Sequence, residues 1–255
     1  MQRNPQLLIS FVSITVALAL AFAFTRPSRE PAYNGKSLTE WLRDRQFTEG
    51  GQDGLSETSV RAVRAIGTNA LPHLLGMLRS SDSQWKMKLA DAFERFPLLR
   101  DWYPTSEERR VRAICGFRAL GAAAKPAFPK LVNLVLSSDD NSDAINALTE
   151  ADQGAITLLV KGLSDADPKV RVRAAFALGC LRQASSVSIP ALIIALNDPD
   201  PEVRARAAGS LGPYGPQAKP ALPELARLSR DESQRISYAA KEALRLIDSA
   251  SQARQ

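Results

Sequence analysis

The sequence predicts an all-α chain: an α-α superhelix of stacked helix pairs, preceded by one apolar helix at the N-terminus. Three observations lead there. Residues recur at an offset of 33 over the C-terminal half, each period carries two apolar stripes with helical spacing, and Leu7 to Phe24 contains no charge. Composition agrees with this class. Of 255 residues 45% are apolar and 24% charged, as in proteins that build a core, and only 6% are aromatic. The net charge of +6 looks basic, but Arg3 is the one charged residue before Arg26. Without it 32 cations face 27 anions, a modest and scattered excess.

The first element is the run Leu7 to Phe24, with Arg3 before it and Arg26 and Arg29 after. As a helix it covers roughly 27 Å, close to the ~30 Å hydrocarbon thickness of a bilayer. A cleavable signal peptide has an apolar core of about 7 to 15 residues. This core is longer, so residues 1–25 read as a signal anchor, a transmembrane helix, with Ala21-Phe22-Ala23 as the cleavage site of an alternative secreted form. Flanking charge does not set the orientation. The usual route for a short N-terminus places the body outside the cytoplasm, in the periplasm.

Residues 26–35 carry Pro27 and Pro31 and read as a short stiff linker. Residues 36–55 follow as a short helix and a Gly-rich loop. Ser37-Leu38-Thr39-Glu40 has the spacing of a capping box, Trp41 and Leu42 give the helix an apolar face, and Gly50, Gly51 and Gly54 break the chain. Gly35-Lys36-Ser37 looks like the end of a phosphate-binding loop, but Glu30 stands where that motif needs glycine and no strand precedes it.

The repeat array is expected over residues 56–250. Asp165-Ala166-Asp167-Pro168-Lys169-Val170-Arg171 returns as Asp198-Pro199-Asp200-Pro201-Glu202-Val203-Arg204, Leu178-Gly179 as Leu211-Gly212, and Pro190-Ala191-Leu192 as Pro223-Glu224-Leu225. In each period Asp167 or Asp200 is placed to cap a first helix that starts with proline and repeats apolar residues at every fourth position. A second helix is expected to open near the later proline, as at Ile189-Pro190. The spans are 56–80, 83–104, 106–137, 141–164, 167–197 and 200–229, with a closing helix over 232–249. The span 83–104 is irregular, because Phe96-Pro97 and Trp102-Tyr103-Pro104 interrupt it. A lone helix pair cannot bury its apolar face, so stability comes from stacking on its neighbours.

Val203-Arg204, Ala207-Ala208 and Leu211-Gly212, followed by Gly215-Pro216-Gln217-Ala218-Lys219-Pro220, resemble the HEAT repeat of the phycobilin-lyase-like class. Gly121-Ala122-Ala123-Ala124-Lys125-Pro126 repeats the phrase, and Ala65-Ile66-Gly67-Thr68-Asn69-Ala70-Leu71-Pro72 is a divergent version. The whole layout, an apolar anchor, Gly35-Lys36-Ser37-Leu38 with Trp41-Leu42, and an array, is similar to uncharacterised bacterial HEAT-repeat proteins. The resemblance implies a HEAT/armadillo-like solenoid whose recurring Asp and Arg positions make contacts between repeats.

Several chemistries are excluded. His73 is the only histidine, which removes multi-histidine metal centres. Deoxyhypusine hydroxylase, a HEAT-repeat enzyme, holds iron with His-Glu pairs that are missing here. Ala208-Gly209-Ser210-Leu211-Gly212 lacks the first glycine of a nucleophile elbow and lies inside a helix. Cys115 and Cys180 fall on first helices two units apart, too far to bridge, and are expected as small buried thiols. No catalytic, metal or cofactor residue is assigned, and no cofactor is expected.

The remaining candidates are for partner binding. The residue after each second-helix proline and the one three further on share a face, and in the family this face lines the concave side. The candidates there are His73 with Gly76, Lys130 with Asn133, Leu158 with Lys161, Ala191 with Ile194, and Glu224 with Arg227. The mixture of charge and aliphatics argues against nucleic acid, which needs a continuous cationic stripe. Trp85, Phe93, Phe96, Trp102 and Tyr103 crowd the irregular span, where core filling explains most of them. Trp102 and Tyr103 are the two carried forward as partner-binding candidates. The expected function is a membrane-tethered protein-interaction scaffold with an unknown protein partner and no enzymatic activity. The alternatives are a bilin-lyase-like or other accessory enzyme subunit, and a nucleic-acid-binding HEAT-like protein.

Overall fold

A computed structural model describes residues 30–47, 53–82, 104–138, 142–148 and 153–252. The apolar run Leu7 to Phe24 and the candidates Trp102 and Tyr103 lie outside them. Among the described residues no helix is long and apolar enough to cross a membrane.

The chain enters through a small hairpin where the sequence alone predicts a linker. β1 (Ala32–Tyr33) pairs antiparallel with β2 (Lys36–Ser37). Between them Asn34 and Gly35 both take positive φ, 48° and 76°, the geometry that lets a two-residue turn follow the strand twist. So residues 30–37 are part of the folded body, and Gly35-Lys36-Ser37 belongs to a hairpin. The capping box stands: Ser37 Oγ accepts the Glu40 amide at 3.3 Å, and the Ser37 amide donates to Glu40 at 2.6 Å. It opens α1 (Leu38–Arg43), which buries Leu38 and Leu42. The Trp41 indole N–H donates to the Tyr33 carbonyl at 3.1 Å and ties the helix to the hairpin. A second small ladder follows, β3 (Arg45–Phe47) against β4 (Asp53–Leu55). The Gly-rich loop between these strands lies outside the described residues.

Paired helices then follow in order: α2 (Glu57–Ile66) and α3 (Leu71–Leu78), α4 (Ser106–Leu120) and α5 (Phe128–Ser137), α6 (Ser142–Ala147) and α7 (Gln153–Gly162), α8 (Pro168–Leu181) and α9 (Ser185–Ala195), α10 (Pro201–Leu211) and α11 (Leu222–Leu228), with α12 (Gln234–Gln252) last. First helices stack on first helices, α8 on α10 on α12. Second helices do likewise, α5 on α7 on α9. One continuous apolar core runs from Leu38 to Ile247 along the stack. α12 turns Ile236, Ala240, Ala243 and Ile247 inward and keeps Lys241 and Arg245 in water, so its outer face closes the array.

The aspartates act as the repeat predicts. Asp167 accepts the Lys169 amide at 2.9 Å, and Asp200 accepts the amides of Glu202 and Val203 at 2.8 and 3.2 Å. Pro168 and Pro201 occupy the first turns, where a missing N–H costs nothing. Between the helices of a pair the chain must reverse. Gly67, Gly121 and Gly215 do this with φ between 54° and 63° and ψ between −125° and −142°, a region closed to side chains with a Cβ.

The structure differs from expectation at two further places. α9 begins at Ser185, five residues ahead of Pro190, so that proline lies inside the helix. There the connection is short and non-glycine: Arg182 and Ala184 take the positive φ angles, 51° and 45°, and no long 3₁₀ run delays the helix. The other place is the junction on either side of residues 83–103. α2 and α3 both pack directly on α4, and Arg64 Nε donates to the Ala119 carbonyl at 2.9 Å. The first and third expected units are therefore in direct contact, and the expected unit between them lies, but for Pro104, outside the described residues. Asp82 and Ser106, flanking the intervening stretch, are pinned together by a 2.5 Å bond from the Ser106 amide to the Asp82 carboxylate.

Candidate functional site

The second-helix face is where the sequence places the partner-binding residues, and its described members separate into three groups. Lys130 and Asn133 on α5, Lys161 on α7 and Ile194 on α9 are all exposed. Ile194 is 76% exposed and Leu158, one turn from Lys161, is 39% exposed. Only Tyr33 and Tyr238 accompany these two among the large apolar side chains left in water in the described residues.

At the C-terminal end Glu224 and Arg227 are drawn together with Asn197, which the repeat spacing does not single out. Arg227 Nε donates to Glu224 at 3.0 Å, the Asn197 amide donates to the other Glu224 oxygen at 3.0 Å, and Arg227 donates to the Asn197 carbonyl at 2.7 Å. Asn197 follows α9 while its two partners sit on α11, so the triangle bridges consecutive second helices. The Asn197 amide and the Arg227 guanidinium hold the Glu224 carboxyl below the usual range. The three groups occupy one another's hydrogen-bonding capacity, and their first consequence is to fix the rim.

At the N-terminal end His73 has a different setting. Its Nε2 lies 3.3 Å from Thr39 Oγ1 and 3.6 Å from a Glu30 carboxylate oxygen. A general-base relay holds its nucleophile and its acid at opposite ring nitrogens. Here both neighbours address the same nitrogen, so the trio anchors the chain entry onto α3. Glu30 completes the clamp by accepting the Thr39 amide.

Beside His73 opens a cavity of about 520 Å³. α3 contributes His73, Gly76 and Met77 to it, and the first turns of α4 contribute Arg109 and Arg112. Arg112 is 5% exposed and pairs with Glu108 at 3.3 Å. Arg109 is fixed to Asp82 at 2.8 Å and to the Pro104 carbonyl at 2.8 Å. Burial pushes the Asp82 carboxyl up, but the bonds from Ser106 and the charge of Arg109 outweigh it and leave it below its ordinary value. Sequence reasoning finds only His73 and Gly76 here. Glu30 and Thr39 precede the repeat array, and Arg109 and Arg112 fall inside its third span but are not marked by the second-helix spacing.

A second cavity, about 380 Å³, lies among the first helices α8, α10 and α12. Arg206 stacks over the Phe176 ring at 5.0 Å there, and Arg235 pairs with Glu202 at 2.6 Å. Cys180 lines it and is exposed, contrary to the expected buried thiol, while Cys115 is buried. Gly209, also on this wall, has open space where a Cβ would stand. Among the described residues, no three His, Cys, Asp or Glu side chains converge as a metal site requires.

No curated protein matches the chain significantly. Among solved structures, human deoxyhypusine hydroxylase in complex with glycerol is 17% identical, with 76% of this chain and 82% of that chain covered and a TM-score of 0.40. An engineered protein is 19% identical over 84% of this chain and 97% of its own, TM-score 0.42. A designed armadillo repeat protein in complex with the peptide (KR)4 is 18% identical over 83% and 100%, TM-score 0.40. Likeness at this level bears on neither the site nor the activity. In the part of the chain where the 33-residue period is clearest, residues 156–253 match the family described as HEAT repeats.

Proposed function

We propose that this chain is a protein-interaction scaffold without catalytic activity, tethered to a membrane through Leu7 to Phe24 with its helical array in the periplasm. HEAT and armadillo repeats commonly serve as protein-interaction scaffolds. The observation that carries the reading is the exposure of Leu158 and Ile194 on the adjacent second helices α7 and α9. Among the described residues these are the two large aliphatics left exposed, as partner-binding surfaces leave them. Tethering is supported by the length and charge-free composition of Leu7 to Phe24. The absence of a second histidine supports a non-catalytic role. Nucleic acid is disfavoured because Leu158, Ile194 and Glu224 interrupt any cationic stripe along the face.

Proximity labelling from the C-terminus in the native cell tests partner and compartment together. Enrichment of specific periplasmic proteins, lost in a Leu158→Asp, Ile194→Asp double variant that still folds, is the expected result. Labelling confined to cytoplasmic proteins would overturn the orientation. Enrichment no greater than with the anchor fused to an unrelated domain would overturn the scaffold.

A further inference from the structure

Beyond the scaffold reading, and independent of it, the geometry points to a contact between two copies of this chain through the first helices α8, α10 and α12. In it Tyr238 of each copy enters the gap over Gly209 of the other. The gap marks one missing side chain. At the same period position α8 carries Phe176, α10 carries Gly209 and α12 carries Glu242. Glycine inside a helix weakens it, yet a Cβ built on Gly209 would meet nothing within 4 Å, so the packing does not call for glycine there. A side chain at this position would stand in the cavity of about 380 Å³ that Gly209 lines. Phe176, Pro213, Ala239 and Leu246 give that cavity an apolar wall, and all of its lining residues are among those described.

The projecting group stands at the edge of the same cavity. Tyr238 on α12 lines it and is 70% exposed, well beyond Tyr33 at 39%. The outer face of a closing helix is expected to be polar, and the matching period positions hold only Val172 and Ala205. A twofold contact lays one patch on its own copy, so it needs projection and gap side by side on one face. Tyr238 and Gly209 meet that condition. Charge points the same way. The wall sets Arg206 and Arg235 against Glu202 and Glu242, with Arg235 paired to Glu202 at 2.6 Å and Glu242 paired to Arg245 at 2.5 Å. A face with two charges of each sign is complementary to a copy of itself and gives a strongly acidic or basic partner no advantage. The contact uses first helices alone, which leaves Leu158 and Ile194 on the second helices open.

The test follows the mass of the full chain in mild detergent by sedimentation velocity. Leu7 to Phe24 is common to every variant, so any pairing it drives cancels in the comparison. Chains are expected to pair with a dissociation constant on the order of 10 µM, as a small interface gives. Gly209→Leu, which fills the gap, and Tyr238→Ser, which removes the projection, are each expected to weaken pairing about tenfold or more without lowering the thermal melt. A mixture of the two variants decides the matter. It keeps one tyrosine and one gap that fit each other, and it is expected to recover part of the pairing that each variant loses alone. The reaction of Cys180, on the same wall, is expected to slow as wild-type chains pair. Chains that stay single to about 100 µM would overturn the proposal. So would pairing that both variants retain, or a mixture that pairs no better than its components.

Discussion

Arg171 grips both oxygens of the Asp198 carboxylate, Nε and Nη2 each at 2.8 Å, across the joint between two successive helix pairs. The third nitrogen, Nη1, donates to the carbonyls of Asp165 and Ala166, so one side chain closes its own loop and holds the next. Arg204 repeats the loop contact 33 residues later, with the carbonyls of Asp198 and Pro199. Asp198 is 9% and Arg171 12% exposed at the side chain. Removing one partner therefore strands a charge with little water. Asp198→Asn and Arg171→Met are each expected to cost about 2 to 3 kcal/mol in urea unfolding. The double variant should cost clearly less than the sum. Additive losses would mean that the two groups act independently.

The same pair sets a response to acid. Burial raises the Asp198 carboxyl, but the Arg171 bond, the Asp200 amide and the charges of Arg171 and Arg204 reverse this and hold it below the usual carboxylate range. A folded-state value below the unfolded one stabilises fully above about pH 4, and that stability is lost as pH falls through the folded value. Asp82 and Asp44, the latter held down by the hydroxyls of Ser56 and Ser59, act in the same direction. Thermal melts are expected to be flat from pH 7 to about 5 and to drop below pH 4. The drop should be shallower in Asp198→Asn, and an identical acid slope would remove Asp198 as a source.

These joints are legible in the sequence because a repeat shows the same physical task twice: Asp167 and Asp200 cap, and Arg171 and Arg204 close loops. Where a task is done once, the pattern is silent. The start of α9 escapes prediction because Arg182 and Ala184 take positive φ without the glycine that announces it elsewhere. The hairpin does have its signal, Asn34-Gly35, but two-residue strands leave no alternation around it. The clamp of Glu30, Thr39 and His73, and the cavity beside it, join segments unrelated by the period and exist only after folding. Within the predicted face, spacing puts Glu224 and Arg227 within reach of each other but cannot show that Asn197 joins them from the previous unit.

Glycines with different tasks should respond differently to one added methyl. Gly121 ends α4 at φ 54° and ψ −125°, with its amide donating back to Phe117 and Arg118. Alanine there is expected to cost about 1 to 3 kcal/mol. Gly209 sits inside α10 with ordinary φ and open space where a Cβ would stand, so Gly209→Ala is expected to be neutral or to stabilise by about 0.5 to 1 kcal/mol. Gly179→Ala is the third case, since its Cβ would come within 2.9 Å of the Ser210 Cα where α8 crosses α10. Urea midpoints of the three variants should therefore rank Gly209→Ala above wild type or level with it, and both others below. Equal losses at all three positions would mean that loss of glycine itself, and not backbone angle or contact, governs the response.

The two thiols offer a test of local cover. Cys115 is 4% exposed inside α4, whereas Cys180 is open to solvent on the wall it shares with Gly209. Partial burial pushes the Cys180 thiol up despite the nearby Arg206 and Arg182, which pull the other way. Since the thiolate is the nucleophile, accessibility and reactivity separate here. In the native chain an aromatic disulfide reagent is expected to titrate one thiol, Cys180, slowly at pH 7 and faster as pH rises above 9. Cys115 should react only on denaturation. Cys180→Ser should abolish the native reaction, and rapid labelling at neutral pH would show that the arginines, not burial, set its reactivity.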